Sequence, residues 1–213
     1  MINVLLVDDH ELVRSGIQLL LESTQSINVV GVAGTGEEAI KLVDALKPDV
    51  VLMDINMPGI GGMEASHKIN QKNPNVKIII LTVLSDGPVP QQMLNDGVHG
   101  YVTKTCSHKE LVDAILVVNA GGRYLCHEMA SKLAFSNLSG RNNSPFELLS
   151  RREVQVVMMT LQGKDLNEIA ESLVISAKTV STYRHRIYDK LGLKNDVELM
   201  RLALKHNVVV DSL

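Results

Sequence analysis

Five side chains in the first half of the chain have types and spacing that could carry phosphoryl chemistry: Asp8, Asp9, Asp54, Thr82 and Lys104. Each has an ordinary reading when taken alone. Asp8 or Asp9 could cap a following helix, Thr82 is a β-branched residue suited to a strand, and Lys104 could be a solvated surface charge. Their joint placement changes the reading. Three carboxylates gathered at one place repel one another unless a cation neutralises them, and Mg²⁺ is the hard cation that takes one to three carboxylates while keeping waters. A hydroxyl and an ammonium beside such a cluster are what a phosphoryl group needs. In that setting a carboxylate can attack a phosphoryl donor and carry the group as an acyl phosphate. Asp54 is the candidate acceptor.

The elements that must position these groups are legible as alternating patterns. Val50 to Met53 is an apolar run without alternation, as in a strand buried on both faces of a parallel sheet, and Met57-Pro58-Gly59 then breaks the chain. Ile2 to Val7, Ile27 to Ala33, Val76 to Leu81 and Gly100 to Val102 read as further strands. Glu11 to Glu22, Glu37 to Lys47, Gly61 to Lys72, Val89 to Asp96 and Ser107 to Asn119 read as helices. Five repeats of strand and helix predict a doubly wound, five-stranded parallel α/β sheet of the flavodoxin-like type. Right-handed crossovers then bring Asp8 and Asp9, Asp54, Thr82 and Lys104 to one carboxyl edge, where ligands bind in such sheets.

At 213 residues the chain is long for one domain and comfortable for two. Its apolar share of 45% and charged share of 21% are ordinary for a globular protein. The two cysteines, Cys106 and Cys126, have no metal-ligand spacing and form no framework of bridges, so both are read as inert thiols in a reducing compartment. No basic leader precedes Val4 to Val7, and no apolar run approaches the length of a bilayer span, so the expected location is cytoplasmic. The net charge of −3 conceals an asymmetry. Residues 1–120 hold 8 Lys+Arg against 14 Asp+Glu, whereas residues 148–213 hold 10 against 8. An acidic first part and a slightly basic last part suit different partners.

The first domain is expected to span residues 1–120 and a second to span 148–213. Between them, Gly121-Gly122 ends a helix, His127 to Phe135 fits one short helix, and residues 136–145 have the polar, turn-rich composition of a linker. The last part is all helical. Ser150 with Glu153 forms a capping box ahead of an apolar stripe of Val154, Val157, Met158 and Leu161, which stops at Gly163. Asn167 to Leu173 is a short amphipathic helix, and Ser176 caps another that runs to Leu191, so the pair forms a helix-turn-helix. A fourth helix covers Asp196 to Lys205. With Val180, Ile187 and Leu191 inward, the Ser176 helix turns Lys178, Ser181, Thr182, Arg184, His185, Arg186 and Lys190 outward. A charge run is usually just a solvated face, but four cations against Asp189 alone is the footprint expected of a helix in a DNA major groove. The histidines, with no second histidine or cysteine at ligand spacing, read as scattered surface residues.

Residues 1 to about 120 resemble the receiver domain of two-component response regulators, through Asp8-Asp9, the turn from Asp54 to Pro58, Thr82 and Tyr101-Val102-Thr103-Lys104. The resemblance implies that Asp9, Asp54 and the backbone carbonyl of Asn56 are direct Mg²⁺ ligands and that Asp8 acts largely through water. It implies that Thr82 and Tyr101 are switch residues and that a sensor histidine kinase is the phosphodonor. By the same token the chain is a regulatory phosphoacceptor rather than an enzyme, with at most slow autodephosphorylation. Two positions depart from the family pattern. Thr105 follows Lys104 where many receivers have proline, and Val83 stands where a small residue is common, which crowds phosphoryl access.

Residues 149–208 resemble the LuxR/NarL-type DNA-binding domain, through Leu149-Ser150, Arg152-Glu153, Gly163, Asn167-Glu168-Ile169-Ala170, Ile175-Ser176, Thr179-Val180 and Lys190-Leu191. The implied partner is double-stranded promoter DNA, contacted from Lys178, Thr179, Ser181, Thr182, Arg184, His185, Arg186 and Lys190. Ser181, Thr182 and His185 stand where the family reads base edges, while Lys178, Arg184, Arg186 and Lys190 suit phosphates. Ser181 and Tyr183 depart from the lysine and histidine common at their positions, so a borrowed base-recognition rule is unsafe. The fourth helix is the family's dimer contact, which implies a homodimer when phosphorylated. Within the NarL/FixJ group the sequence is most similar to the GacA/UvrY/LetA branch, which implies a GacS/BarA-like kinase.

Other classes fit less well. An aspartate-nucleophile phosphatase wants a second aspartate two residues after the nucleophile, where Asn56 stands, and a flavin module wants hydroxyls and amides where Asp8-Asp9-His10-Glu11 is acidic. A DNA binder indifferent to phosphorylation stays open, because sequence does not set a resting equilibrium.

Overall fold

The computed structural model describes residues 1–82, 97–127, 130 and 144–206. The chain divides into two compact units; the described residues up to 130 belong to the first and those from 144 to the second. The expected helix over Val89 to Asp96, Val83 with its crowding, most of the short helix from His127 to Phe135 and the linker up to residue 143 lie outside the described residues.

In the first unit, β1 (Ile2–Val7), α1 (Glu11–Glu22), β2 (Ile27–Ala33), α2 (Gly36–Leu46), β3 (Val50–Asp54), α3 (Gly61–Lys72), β4 (Lys77–Thr82), β5 (Gly100–Thr103), α4 (His108–Asn119) and β6 (Tyr124–Leu125) succeed one another in order. The sheet is parallel throughout, in the order β2-β1-β3-β4-β5-β6. Val50 to Met53 are all fully buried, as a central strand covered on both faces requires. One face, through Val4, Leu6, Leu52, Ile79, Leu81 and Val102, packs against Leu21 of α1 and Leu111, Ile115 and Val118 of α4. Side chains alternate along a strand, so Tyr101 belongs to the opposite face; it too is fully buried.

The expected five strands become six. Tyr124 and Leu125, in the stretch assigned to the linker, pair with Gly100 and Tyr101, and the N–H groups of Tyr124 and Cys126 bond the carbonyls of His99 and Tyr101 at 3.0 Å each. A two-residue strand is too short to show periodicity, and only the open edge of β5 makes it one.

The second unit opens with a 3₁₀ turn (Pro145–Leu148), then α5 (Arg151–Leu161), α6 (Leu166–Leu173), α7 (Ala177–Leu191) and α8 (Asp196–Lys205). Ser150 and Glu153 form the expected capping box, and Asp165 with Glu168 forms another on α6. Ser176 accepts the Thr179 N–H at 3.1 Å and Asn195 the Glu198 N–H at 3.0 Å, so each of these four α-helices starts on a side-chain cap. Phe146, Val157, Ile169, Leu173, Val180, Ile187 and Leu199 form the core of this unit. Leu161 and Leu191, expected in the apolar stripes, are only half-buried, and Val156 is buried instead.

Candidate functional site

Asp54 is the last residue of β3, opposite Leu81 of β4, and the Asp8-Asp9 pair comes directly after the last residue of neighbouring β1. Thr82 ends β4 in register with Thr103 of β5, one residue before Lys104. Parallel strands in register thus deliver the predicted residues to one edge. The turn after Asp54 is equally constrained. The Gly62 N–H bonds the Ile55 carbonyl at 3.1 Å, and a Cβ on Gly62 would lie 1.8 Å from the Asp54 carbonyl oxygen. The start of α3 is therefore pressed against the backbone of Asp54.

The side chains make one ionic cluster. Lys104 Nζ lies 2.7 Å from Asp8 Oδ2 and 2.8 Å from Asp54 Oδ2. Asp8 is fully buried, Asp54 is 2% exposed, and the Lys104 side chain is 11% exposed. Asp9 is more open and pairs with the His10 ring at 2.9 Å from Nδ1 to Oδ1. Asp54 Oδ1 accepts the Asn56 N–H at 3.3 Å, and the Arg14 guanidinium donates to the Asp8 carbonyl at 2.6 Å. Burial, with a smaller push from Asp8, raises the Asp54 pKa above the usual aspartate range despite the Lys104 hydrogen bond that opposes it. Burial by itself would lower the Lys104 pKa, but the bonds and charges of Asp54 and Asp8 outweigh it and hold the ammonium above its ordinary value.

The cluster fits a divalent cation. Ligand atoms of Asp8, Asp9, His10 and Asp54 all lie within 4.8 Å of one another. Lys104 supplies one positive charge against three carboxylates, and a doubly charged ion would balance the remainder. Asp8 Oδ2, fully enclosed, has the Lys104 ammonium 2.7 Å away, so one cation serves two buried carboxylates. The donors are hard oxygens with one imidazole at the rim.

Sequence reasoning passes over three residues here. His10 reads as one of the scattered surface histidines; it is exposed, yet its ring meets both acids. Its position directly after two aspartates is the available signal. Arg14 reaches Asp8 from one turn inside α1, and Gly62 is recognisable only once the turn after β3 is folded.

In the second unit the predicted DNA-facing residues separate into two groups. Lys178, Ser181, Thr182, His185 and Arg186 are exposed on α7, and Thr179 is half-buried beside the Ser176 cap. Arg184 and Lys190 are engaged inside the unit. The Arg184 guanidinium donates to the Tyr188 hydroxyl at 2.9 Å and pairs with Asp196 at the start of α8, and Tyr188 also bonds Asp196. Lys190 pairs with Glu153 at 2.6 Å and donates to the Leu148 carbonyl at 3.2 Å. Among the described residues, the unpaired cations on α7 are Lys178 and Arg186.

Comparison with known proteins agrees with both halves. The response regulator receiver domain profile matches residues 4–116, and the profile of bacterial regulatory proteins of the luxR family matches residues 147–203. The response regulator GacA of Pseudomonas viridiflava is 46% identical over 210 residues, covering 98% of each chain. The response regulator UvrY of Escherichia coli strain K12 is 47% identical over 209 residues, 98% of this chain and 96% of its own. Among solved structures, the RcsB response regulator of Salmonella typhimurium, described for its conformational dynamism in DNA interaction, matches with TM-score 0.73 at 28% identity over 96% of this chain and 97% of its own. RcsB from Salmonella enterica serovar Typhimurium, bound to promoter rprA in the presence of the phosphomimetic BeF3-, matches with TM-score 0.67 at 27% identity over 94% and 97%.

Proposed function

Because this chain belongs to the response regulators that join a receiver domain to a LuxR-type DNA-binding domain, it is a phosphorylation-dependent transcription regulator, and we propose that Asp54 is its phosphoacceptor. The observation that carries this reading is the pair of contacts from Lys104 to Asp54 and Asp8, on buried carboxylates at the carboxyl edge of the sheet. The Asp54 carboxylate oxygen attacks the phosphorus of a phosphohistidine on the partner kinase. A P–O bond forms, the P–N bond breaks, and the imidazole leaves. Lys104 then pairs with the transferred phosphoryl oxygens.

By the family resemblance, Asp9, Asp54 and the Asn56 carbonyl would hold Mg²⁺ directly and Asp8 largely through water; the carboxylates of Asp8, Asp9 and Asp54, grouped within 4.8 Å, support this reading. When bound, the ion offsets negative charge on the transferring group. Thr82 and Tyr101 relay the change in charge to the outer face of the receiver. Hydrolysis of the acyl phosphate is slow, so the domain acts as a timer and not as a phosphatase.

The first domain extends past the expected 1–120 to include β6 (Tyr124–Leu125), and the second opens at the 3₁₀ turn Pro145–Leu148 instead of at 148. The receiver controls a homodimer that reads promoter DNA with α7. Ser181, Thr182 and His185 face base edges, with Thr179 near the helix start, and Lys178 and Arg186 face phosphates. Arg184 and Lys190 reach DNA only by exchanging their internal partners. No described helix is long and apolar enough to cross a membrane; we place the protein in the cytoplasm, served by a GacS/BarA-like kinase.

The test of the acceptor is direct. Incubation with acetyl phosphate and MgCl₂ shifts wild type on a phosphate-affinity gel, and Asp54→Asn shows no shift. A shift that persists in Asp54→Asn moves the phosphoryl site elsewhere.

A further inference from the structure

The three acids and Lys104 leave His10 without a role, although its ring lies within 4.8 Å of a ligand atom from each acid. His10 precedes α1 as its capping residue, and its side chain accepts no cap hydrogen bond. The ring turns instead toward the acids, with Nδ1 2.9 Å from Asp9 Oδ1 and 3.5 Å from Asp8 Oδ1. Lys104 holds the other oxygen, Oδ2, of both Asp8 and Asp54. The Oδ1 atoms of Asp8 and Asp54 each accept one backbone N–H, from His10 at 2.9 Å and Asn56 at 3.3 Å, and keep a lone pair for a cation; His10 Nδ1 lies beside Asp8 Oδ1 and Asp9 Oδ1.

The cluster does not stand on acidity alone. Asp8 is completely enclosed, with the Lys104 ammonium 2.7 Å from Oδ2 and the His10 backbone N–H 2.9 Å from Oδ1, so a single positive charge stands against the buried acids. With an imidazole in reach, the donor set is mixed. Oxygen ligands alone suit Mg²⁺, which dehydrates reluctantly and keeps its waters. An imidazole nitrogen adds affinity for first-row transition ions.

We propose that His10 is a metal ligand of the receiver pocket, giving it a second mode in which Mn²⁺ or a similar first-row divalent ion is held by carboxylates and the His10 imidazole. This rests on the reading of the pocket as a divalent-cation site. With Mg²⁺ the ring would stay on Asp9, where it stands here; with a first-row transition ion Nδ1 would serve as a ligand. The pocket then distinguishes cations by a residue outside the acid set, and the metal supplied sets how tightly the site is loaded.

Pulsed electron paramagnetic resonance on the full-length protein with Mn²⁺ tests this. Wild type is expected to show modulation from a directly coordinated imidazole nitrogen, and His10→Gln to lose it. Titration should show Mn²⁺ affinity falling roughly tenfold or more in His10→Gln, as for loss of groups that hold a metal site, while Mg²⁺ affinity, read by competition, changes less than about twofold. Asp9→Asn should weaken both ions. Mn²⁺ bound by wild type without nitrogen modulation, or equal loss of both ions in His10→Gln, overturns the role of His10 and leaves the Mg²⁺ site standing. Failure of wild type to bind either ion overturns both readings.

Discussion

Asp54 sits where burial and three charged neighbours meet, and its backbone is as confined as its carboxylate. A Gly62 side chain would overlap the Asp54 carbonyl, and backbone has nowhere to yield. Gly62→Ala is expected to destabilise the receiver by about 3 kcal/mol, the upper end for overpacking, and to slow phosphorylation by displacing the acceptor. Gly16→Ala is the control: nothing stands within 4 Å of its added Cβ, and in a helix interior it should gain up to about 1 kcal/mol. Urea unfolding of the two variants monitored by circular dichroism checks the pair, and equal stability in both contradicts the close approach. At this scale the acids, the lysine and the threonine are legible in the sequence because each ends a strand that the apolar pattern identifies. Gly62 and His10 are not, because their meaning depends on how a turn folds back. Nor are the partners of Arg184 and Lys190, since Asp196 and Glu153 stand on other helices and meet them only through tertiary packing.

Helix caps tie the elements of the second unit together. The capping box at the start of α5 doubles as an ion-pair site, because Glu153 caps Ser150 and also holds Lys190 of α7. Burial would raise the Glu153 pKa, but the hydrogen bonds from Lys190 and Ser150 more than offset it and the carboxyl ends below its usual value. A depressed folded pKa contributes stability that is fully present above the unfolded glutamate value, about 4.3, and is lost as pH falls through the folded one. Hydrogen exchange over residues 151–161 should therefore accelerate in wild type as pH drops below about 4, after correction for intrinsic rates. In Lys190→Met the acceleration should be smaller and protection lower at neutral pH; an unchanged profile contradicts the coupling.

The same pairing sorts the cations of α7. Lys178→Ala and Arg186→Ala should each flatten the salt dependence of DNA binding by roughly one unit of slope, as expected when one phosphate interaction is removed. Lys190→Ala should leave the slope nearly unchanged and lower stability. A slope change for Lys190→Ala matching the other two would mean that it leaves Glu153 for phosphate. Composition shows that α7 is cationic; it does not show which cations are already neutralised.

For the whole molecule, the sequence pattern is sufficient for the order of elements, since a buried parallel strand and an amphipathic helix have different periods. It fails at β6, where two residues join a sheet only because β5 leaves an edge. The two units match two families that occur together in the relatives over nearly the full chain. On the proposed reading they are joined by a shift between two states, biased by charge at Asp54. A dimer on a two-fold site would double the contacts of α7, whose unpaired cations among the described residues are Lys178 and Arg186.

The most direct test of that coupling is fluorescence anisotropy of promoter-bearing genomic fragments with the full-length protein. Binding is compared with and without acetyl phosphate and Mg²⁺, in wild type and Asp54→Ala in parallel. Control through Asp54 predicts that the phosphodonor tightens binding by wild type and leaves Asp54→Ala at its unstimulated level. Equal binding in all four conditions would leave the DNA-binding domain in place and contradict that control.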